Sequence, residues 1–294
     1  MNIGVAGLGK MGTAIAKRLI DVGHDVSIWN RSPKKMKQPA LADATVAASP
    51  TALAQQVEAV ITILTDANAI KGVYEGSAGL LAGDVAGKLF IEMSTVQPET
   101  SAALAKVVKA KNASLVECPV GGTVGPALSG KLIGLAGGDK ADFERAKPIL
   151  DQLCRRVDHV GPVGAGASMK LAINLPLAVF WQAMGEAYSL CRHLGGDTAW
   201  LVELFADTSG GPNVLKARGL AVAAALSGKE PGSATFDCDG IRKDLRTMVA
   251  EARDRGFELP LAERTLAVYE QASREGWGAR DCTELPAYWS GRKS

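Results

Sequence analysis

The sequence predicts an α/β fold in two parts: a doubly wound parallel sheet, then an all-α domain joined to it by a long helix. Three observations carry that expectation. Up to about residue 160, short apolar runs of strand length alternate with stretches of helical spacing, the order that a parallel sheet with helices on both faces produces. Beyond that point every pattern is helical. Between the halves lies Gly161 to Gly185, in which Lys170 is the single charged side chain among Ala, Leu, Ile, Val, Phe and Met. Gly161-Pro162 marks the boundary, which places the α/β domain at 1–162 and the helical domain at 163–294.

A chain of 294 residues with 47% hydrophobic content can bury a large core and fill two domains. Its net charge of +2, from 33 basic and 31 acidic residues, offers no broad field to nucleic acid or anionic lipid, so neither is expected as a partner. Five scattered cysteines without a C-x-x-C pair read as free thiols of a reducing compartment. The isolated His24, His159 and His193 suggest neither a metal site nor a Ser-His-Asp arrangement. Met1 runs directly into a strand pattern with no basic leader, so a cytoplasmic protein is expected. The apolar stretch after Gly161 is long enough to span a membrane, but Lys170, Asn174, Pro176 and Gln182 interrupt it.

Met1 to Ala6 reads as a buried strand, Gly7-Leu8-Gly9-Lys10-Met11-Gly12 as a turn, and Thr13 to Val22 as a helix. This is G-x-G-x-x-G in the strand-turn-helix setting of a Rossmann-type nucleotide site. The first glycine permits the tight turn, the second lets backbone N–H groups approach a pyrophosphate, and the third packs helix on strand. Asp25 to Trp29 follows as a second strand, ending at Asn30-Arg31-Ser32. The carboxylate that would hold an unphosphorylated ribose is absent there. Arg31 supplies a planar donor fork instead, with Asn30 and Ser32 as neutral partners, so NADP(H) is expected as the preferred cofactor and NAD(H) as a second possibility.

Further strands are expected at Ala59–Leu64, Lys88–Met93, Ser114–Cys118, Leu132–Ala136 and Arg156–Val160, with helices at Pro98–Lys111 and Lys140–Cys154. Ligands of such sheets sit outside the carboxyl ends of the strands, which here read Leu64-Thr65-Asp66, Ser94-Thr95-Val96 and Pro119-Val120-Gly121-Gly122-Thr123. In the second half, Gly164 to Leu194 reads as one long helix, bent after Pro176. Thr198–Asp207 with an acidic first turn, Val214–Ser227, Gly240–Arg255 and Leu261–Gly276 complete the helices.

Asn174 lies four residues beyond Lys170, so on a helix the two share a face and can address one small ligand. The residues leave two readings of Lys170 open: an ammonium that snorkels to solvent from an ordinary core helix, or a catalytic lysine. A small helical domain behind a long linking helix also suggests a homodimer.

Taken together, G-L-G-K-M-G with G-H-D-V and N-R-S, then E-C-P-V-G-G-T, G-A-G-A-S-M-K-L-A-I-N and R-K-D-L, resemble the β-hydroxyacid dehydrogenase family over nearly the whole chain. That family includes 3-hydroxyisobutyrate dehydrogenases, tartronate semialdehyde reductases and glyoxylate or succinic semialdehyde reductases. The resemblance implies that Lys170 donates and accepts the proton and that Asn174 orients the substrate oxygen. It also implies that Thr95 lies beside the nicotinamide, Leu64 and Thr65 border the cofactor, Lys243 closes over it, and the backbone at Gly121, Gly122 and Thr123 holds a substrate carboxylate. The family's loop usually reads P-V-S-G-G; here Gly121 replaces the serine, which removes a hydroxyl from the clamp. The activity so implied is reversible hydride transfer between NADP(H) and a small hydroxy acid, semialdehyde or oxo acid. An imine reductase of the same architecture and a non-catalytic NADPH-binding scaffold are the alternatives.

Overall fold

The computed structural model describes residues 1–291 and divides into two compact units, Met1–Leu171 and the helices from Ala172 on. In the first unit β1 (Asn2–Ala6), α1 (Lys10–Asp21), β2 (Asp25–Trp29), β3 (Thr45–Val46), α2 (Pro50–Gln56), β4 (Ala59–Thr62), α3 (Ala67–Glu75), β5 (Leu89–Glu92), α4 (Pro98–Lys109) and β6 (Ser114–Glu117) follow in turn. They are completed by β7 (Val120–Gly121), α5 (Val124–Leu128), β8 (Leu132–Gly137), α6 (Lys140–Leu153) and β9 (Cys154–Gly161). The sheet order is β3-β2-β1-β4-β5-β6-β8-β7, with β9 beside β8.

The strands from β3 to β6 are parallel, as expected. The sheet departs from the expectation at its far side, where β8 runs antiparallel to β6 and β7. The link from β6 to β8 holds only β7 and the five-residue α5, so the chain turns back on itself instead of crossing over the sheet under a full helix.

Alternation along the inner strands sends Val5, Ile61, Ile91 and Val116 to one face and Ala6, Val60, Phe90 and Leu115 to the other. Both faces are covered, so the strands read as continuous apolar runs, with few polar positions. Three exceptions lie in register at the carboxyl edge: Thr62 beside Glu92, and Glu92 beside Glu117. All three are buried.

The long helix α7 spans Ala165–Cys191, 27 residues, and continues through Pro176; a 3-10 turn at Arg192–Leu194 completes the expected length. It begins in the first unit and ends in the second. The second unit also holds α8 (Thr198–Asp207), α9 (Asn213–Leu226), α10 (Cys238–Asp254), α11 (Pro260–Ala272) and α12 (Leu285–Gly291), and no strand among the described residues. Asp197 caps α8 from just outside it, accepting from the Ala199 and Trp200 amides, so the acidic group expected in the first turn acts one position earlier. Gly185 lets α7 and α12 approach closely, since a Cβ there would stand 3.0 Å from Pro286 Cα and 3.0 Å from Trp289 Cβ.

Asp281 is the polar hub of this unit. It accepts from the Thr235 and Thr283 amides at 2.8 and 3.0 Å and pairs with Arg218 at 2.8 Å. Burial works against its charged form, but the Thr283 and Thr235 amides and Arg218 outweigh that and hold its carboxyl down at about 2.

Candidate active site

The parallel order brings the carboxyl ends of β1, β2, β4, β5 and β6 to one edge of the first unit, and with them most of the expected cofactor residues. Gly7 sits at φ +101°, where a Cβ would be 3.0 Å from Leu64 Cδ2 and would overlap the Ile63 carbonyl oxygen. Gly12 has its own backbone restriction: a Cβ there would overlap the Gly7 carbonyl oxygen and stand 2.9 Å from Ile63 Cγ2. These two glycines are required by the protein itself. Gly9 is different, because nothing lies within 4 Å of a Cβ built on it and it forms the exposed start of α1.

A helix N-terminus approached over a bare backbone is the cradle that a dinucleotide's pyrophosphate needs, so Gly9 and the first turn of α1 fit the cofactor. Lys10 is exposed, whereas Met11 packs against the core. Leu8 is buried, and its amide donates to Asn30 Oδ1 at 2.9 Å, while Asn30 Nδ2 donates to the Ser32 carbonyl at 3.1 Å. Asn30 thus ties the glycine turn to the end of β2. Arg31 and Ser32 lie exposed beyond it, where a guanidinium fork is available to a 2'-phosphate.

At the end of β4, the Leu64 amide donates to Ser94 Oγ at 2.7 Å, and Ser94 is in turn held by Glu92, whose Oε1 accepts from the Ser94 amide at 3.0 Å and from the Ser94 hydroxyl. The half-buried Thr95 follows directly on that turn. Thr65 is exposed and its hydroxyl donates to Asp66, the cap of α3. In the loop after β6, Gly122 adopts φ +120°, and a Cβ there would press to 2.8 Å on Leu132 Cδ2. Thr123 starts α5 without using its side chain for the cap.

Lys170 is 7% exposed on α7, which places it away from bulk solvent and against the snorkelling alternative. The first turn of α7 is held by Glu117, whose Oε1 accepts from the amides of Gly164 at 2.6 Å, Gly166 at 2.8 Å and Ala167 at 3.4 Å. One helical turn beyond Lys170, Asn174 Nδ2 donates to Asp244 Oδ2 at 3.0 Å. Asp244 Oδ1 accepts from Lys243 at 2.7 Å. The second unit therefore joins Asn174, Lys243 and Asp244 in one network. Asp244 is buried although its neighbour Lys243 is part-exposed on the same helix.

Sequence reasoning passed over Glu92, Glu117 and Asp244 as site residues. A signal was available for the first two: each is a carboxylate that closes a strand directly after two apolar residues, a position where a charge is retained only with partners. Among the described residues no three His, Cys, Asp or Glu groups gather for a metal, and no helix is long and apolar enough to cross a membrane.

Residues 2–161 match the family model described as the NAD binding domain of 6-phosphogluconate dehydrogenase, and residues 164–289 match that of the NAD-binding of NADP-dependent 3-hydroxyisobutyrate dehydrogenase. Glyoxylate/succinic semialdehyde reductase 1 of Arabidopsis thaliana is 32% identical over 282 residues, covering 96% of both chains. 3-Hydroxyisobutyrate dehydrogenase of Pseudomonas aeruginosa is 33% identical, with 94% of this chain and 95% of that one covered. Cytokine-like nuclear factor N-PAC of Anopheles gambiae is 28% identical over 97% of this chain, which spans 50% of that longer protein. Among solved structures, Psf3 in complex with NADP+ superposes with a TM-score of 0.86 at 25% identity, covering 97% of this chain and 99% of that one. The glycine cradle, the lysine-bearing helix and these full-length likenesses agree, and the chain belongs to the β-hydroxyacid dehydrogenase family of NAD(P)-dependent oxidoreductases.

Proposed function

We propose that the protein is an NADP(H)-preferring reductase of a small aldehyde or oxo acid, working reversibly as a hydroxyacid dehydrogenase, with Lys170 as its general acid and base. The observation that carries the reading is Lys170 itself, an ammonium 7% exposed on an apolar helix, one turn before an asparagine that a buried carboxylate holds. The bound nicotinamide supplies or accepts the hydride. Charge then accumulates on the substrate's carbonyl oxygen, and the Lys170 Nζ donates a proton to it; in the reverse direction the neutral amine takes the proton from the hydroxyl.

Asn174 orients the same oxygen through its amide, whose rotamer is set by the hydrogen bond to Asp244. The backbone amides of Gly121, Gly122 and Thr123 receive the substrate's carboxylate, a role that the positive φ of Gly122 supports and that needs no serine hydroxyl. Gly9 and the first turn of α1 hold the pyrophosphate, Arg31 and Ser32 the 2'-phosphate, and the turns at Leu64–Thr65 and Thr95 border the nicotinamide half. The relatives' substrates, glyoxylate, succinic semialdehyde and 3-hydroxyisobutyrate, support acids of this small size.

The test is a steady-state screen of C2 to C5 hydroxy and oxo acids with both cofactors, repeated with Lys170→Ala. Loss of general acid help predicts a fall in kcat of about 10²- to 10⁴-fold, roughly 3 to 6 kcal/mol, with NADPH still bound. Wild-type turnover in the variant would remove Lys170 from the mechanism.

A homodimer is part of the same proposal. Trp200, Leu204 and Leu220 line a groove of about 720 Å³ between α8 and α9, and Leu220 is 86% exposed, an apolar surface that a second copy would cover. Light scattering that finds only monomer at micromolar concentration would exclude it.

A further inference from the structure

We infer that Glu117 is a positioning residue, which sets the place of Lys170 relative to the substrate loop. The inference rests on the reading of Lys170 as the proton donor. Glu117 is the last residue of β6, and the loop Pro119–Thr123 begins two positions later. Its Oε1 also accepts from the amides of Gly164, Gly166 and Ala167, at the start of α7. One carboxylate oxygen therefore joins the strand that delivers the substrate loop to the helix that delivers the lysine. All of these groups belong to the first unit.

The surroundings are built for this contact. Glu117 pairs in register with Gly137 of β8, where a Cβ would overlap Glu117 Oε1 and stand 2.8 Å from the Pro162 carbonyl oxygen. At Gly166 a Cβ would lie 3.2 Å from Glu117 Oε1 and would overlap the Leu135 carbonyl oxygen. Two glycines thus clear the space that lets a strand-borne carboxylate reach helix amides. A local cap from the helix's own sequence would satisfy the same amides. It would not tie the helix to β6. A carboxylate facing the positive end of a helix of 27 residues adds a charge-assisted hold that falls off within the first turn, where these three donors lie. Burial pushes the Glu117 carboxyl above the ordinary range, while the hydrogen bonds it accepts pull the other way.

The experiment compares the full chain with Glu117→Gln, which keeps the volume and one acceptor oxygen, and with Glu117→Ala. A displacement of about 1 Å at the reacting atoms costs on the order of 10²-fold, so Glu117→Ala should lower kcat by about 100-fold. Glu117→Gln should recover most of that loss. The Kd for NADPH should stay within about twofold of wild type in both, because the cofactor cradle lies on other strands. In wild type the Gly164 and Gly166 amides should show the downfield proton shifts of short bonds to a carboxylate, and in the variants those shifts should move back and hydrogen exchange at residues 164–170 should quicken.

Unchanged kcat and exchange in Glu117→Gln and Glu117→Ala would overturn the proposal. So would a parallel loss of kcat and NADPH affinity, the mark of general unfolding. Ordinary wild-type shifts at Gly164 and Gly166 would overturn it even if both variants failed to fold. Faster exchange and lower kcat in the Glu117 variants alongside full activity in Lys170→Ala would show the anchor to be real and the proton donor to be another group.

Discussion

Gly9 and Gly12 belong to one motif but answer to different partners, and alanine at each separates them. Residue 9 has φ −71° and ψ −173°, a conformation open to alanine, and its added methyl would meet nothing within 4 Å. Weaker capping by alanine and a stiffer unfolded chain act in opposite directions, each by about 1 kcal/mol or less, so Gly9→Ala should move Tm by no more than about 2 to 4 °C. Its cost falls on the cofactor. A methyl forced between the backbone and a pyrophosphate costs about 1 to 3 kcal/mol, which raises the Kd for NADPH about 5- to 150-fold.

At residue 12 the methyl would overlap the Gly7 carbonyl oxygen and stand 2.9 Å from Ile63 Cγ2, so α1 must move off the sheet before any ligand arrives. That costs about 3 kcal/mol or more and lowers Tm by about 6 to 12 °C. Fluorescence titration with NADPH and scanning calorimetry on the same preparations read both quantities. Wild-type affinity in Gly9→Ala, or a loss of stability equal to that of Gly12→Ala, would refute the assignment of the cradle.

Arg31→Ala should weaken NADPH by about 10- to 150-fold through loss of charged hydrogen bonds, and NADH much less; equal loss for both cofactors in the same titration would place the 2'-phosphate elsewhere. Asp244→Ala removes the acceptor that orients Asn174 and should lower kcat by about tenfold or more with the Kd for NADPH unchanged, since the ion pair with the part-exposed Lys243 adds little; an unaltered kcat would separate Asp244 from catalysis. The Asp281 carboxyl, held at about 2 against an ordinary 3.8, contributes stability that is present above pH 4 and lost as pH falls through 2, on the order of 2 kcal/mol. Urea midpoints between pH 5 and 2 should fall more steeply in wild type than in Asp281→Asn, and parallel curves would dismiss the hub.

The nucleotide half was legible in the residues because its signals are local. A short buried strand, a glycine turn and a helix lie within about twenty positions, and the positive φ of Gly7 and the overlap of a Gly12 Cβ with the Gly7 carbonyl arise within that short path. The long helix was legible for the same reason, as a mainly apolar run around one lysine. Short β3 and β7 lacked enough residues to form a pattern, and the reversal of β8 depends on how its connection folds. Asn30 was legible as a residue of the turn after β2, but its tie to the glycine turn, through the Leu8 amide and the Ser32 carbonyl, is a contact that only the fold shows.

What the sequence determined by itself is the alternation of strands and helices in the first half, the strand-turn-helix path of its first glycines, and Lys170 and Asn174 as polar residues on one face of a mainly apolar helix. Only the tertiary structure decided which carboxylates serve them. Glu117 meets Gly164, Gly166 and Ala167 across nearly fifty residues of chain, and Asp244 meets Asn174 across seventy. Hydrogen bonds of that separation are set by sheet register and helix packing, which bring together groups that no spacing along the chain relates.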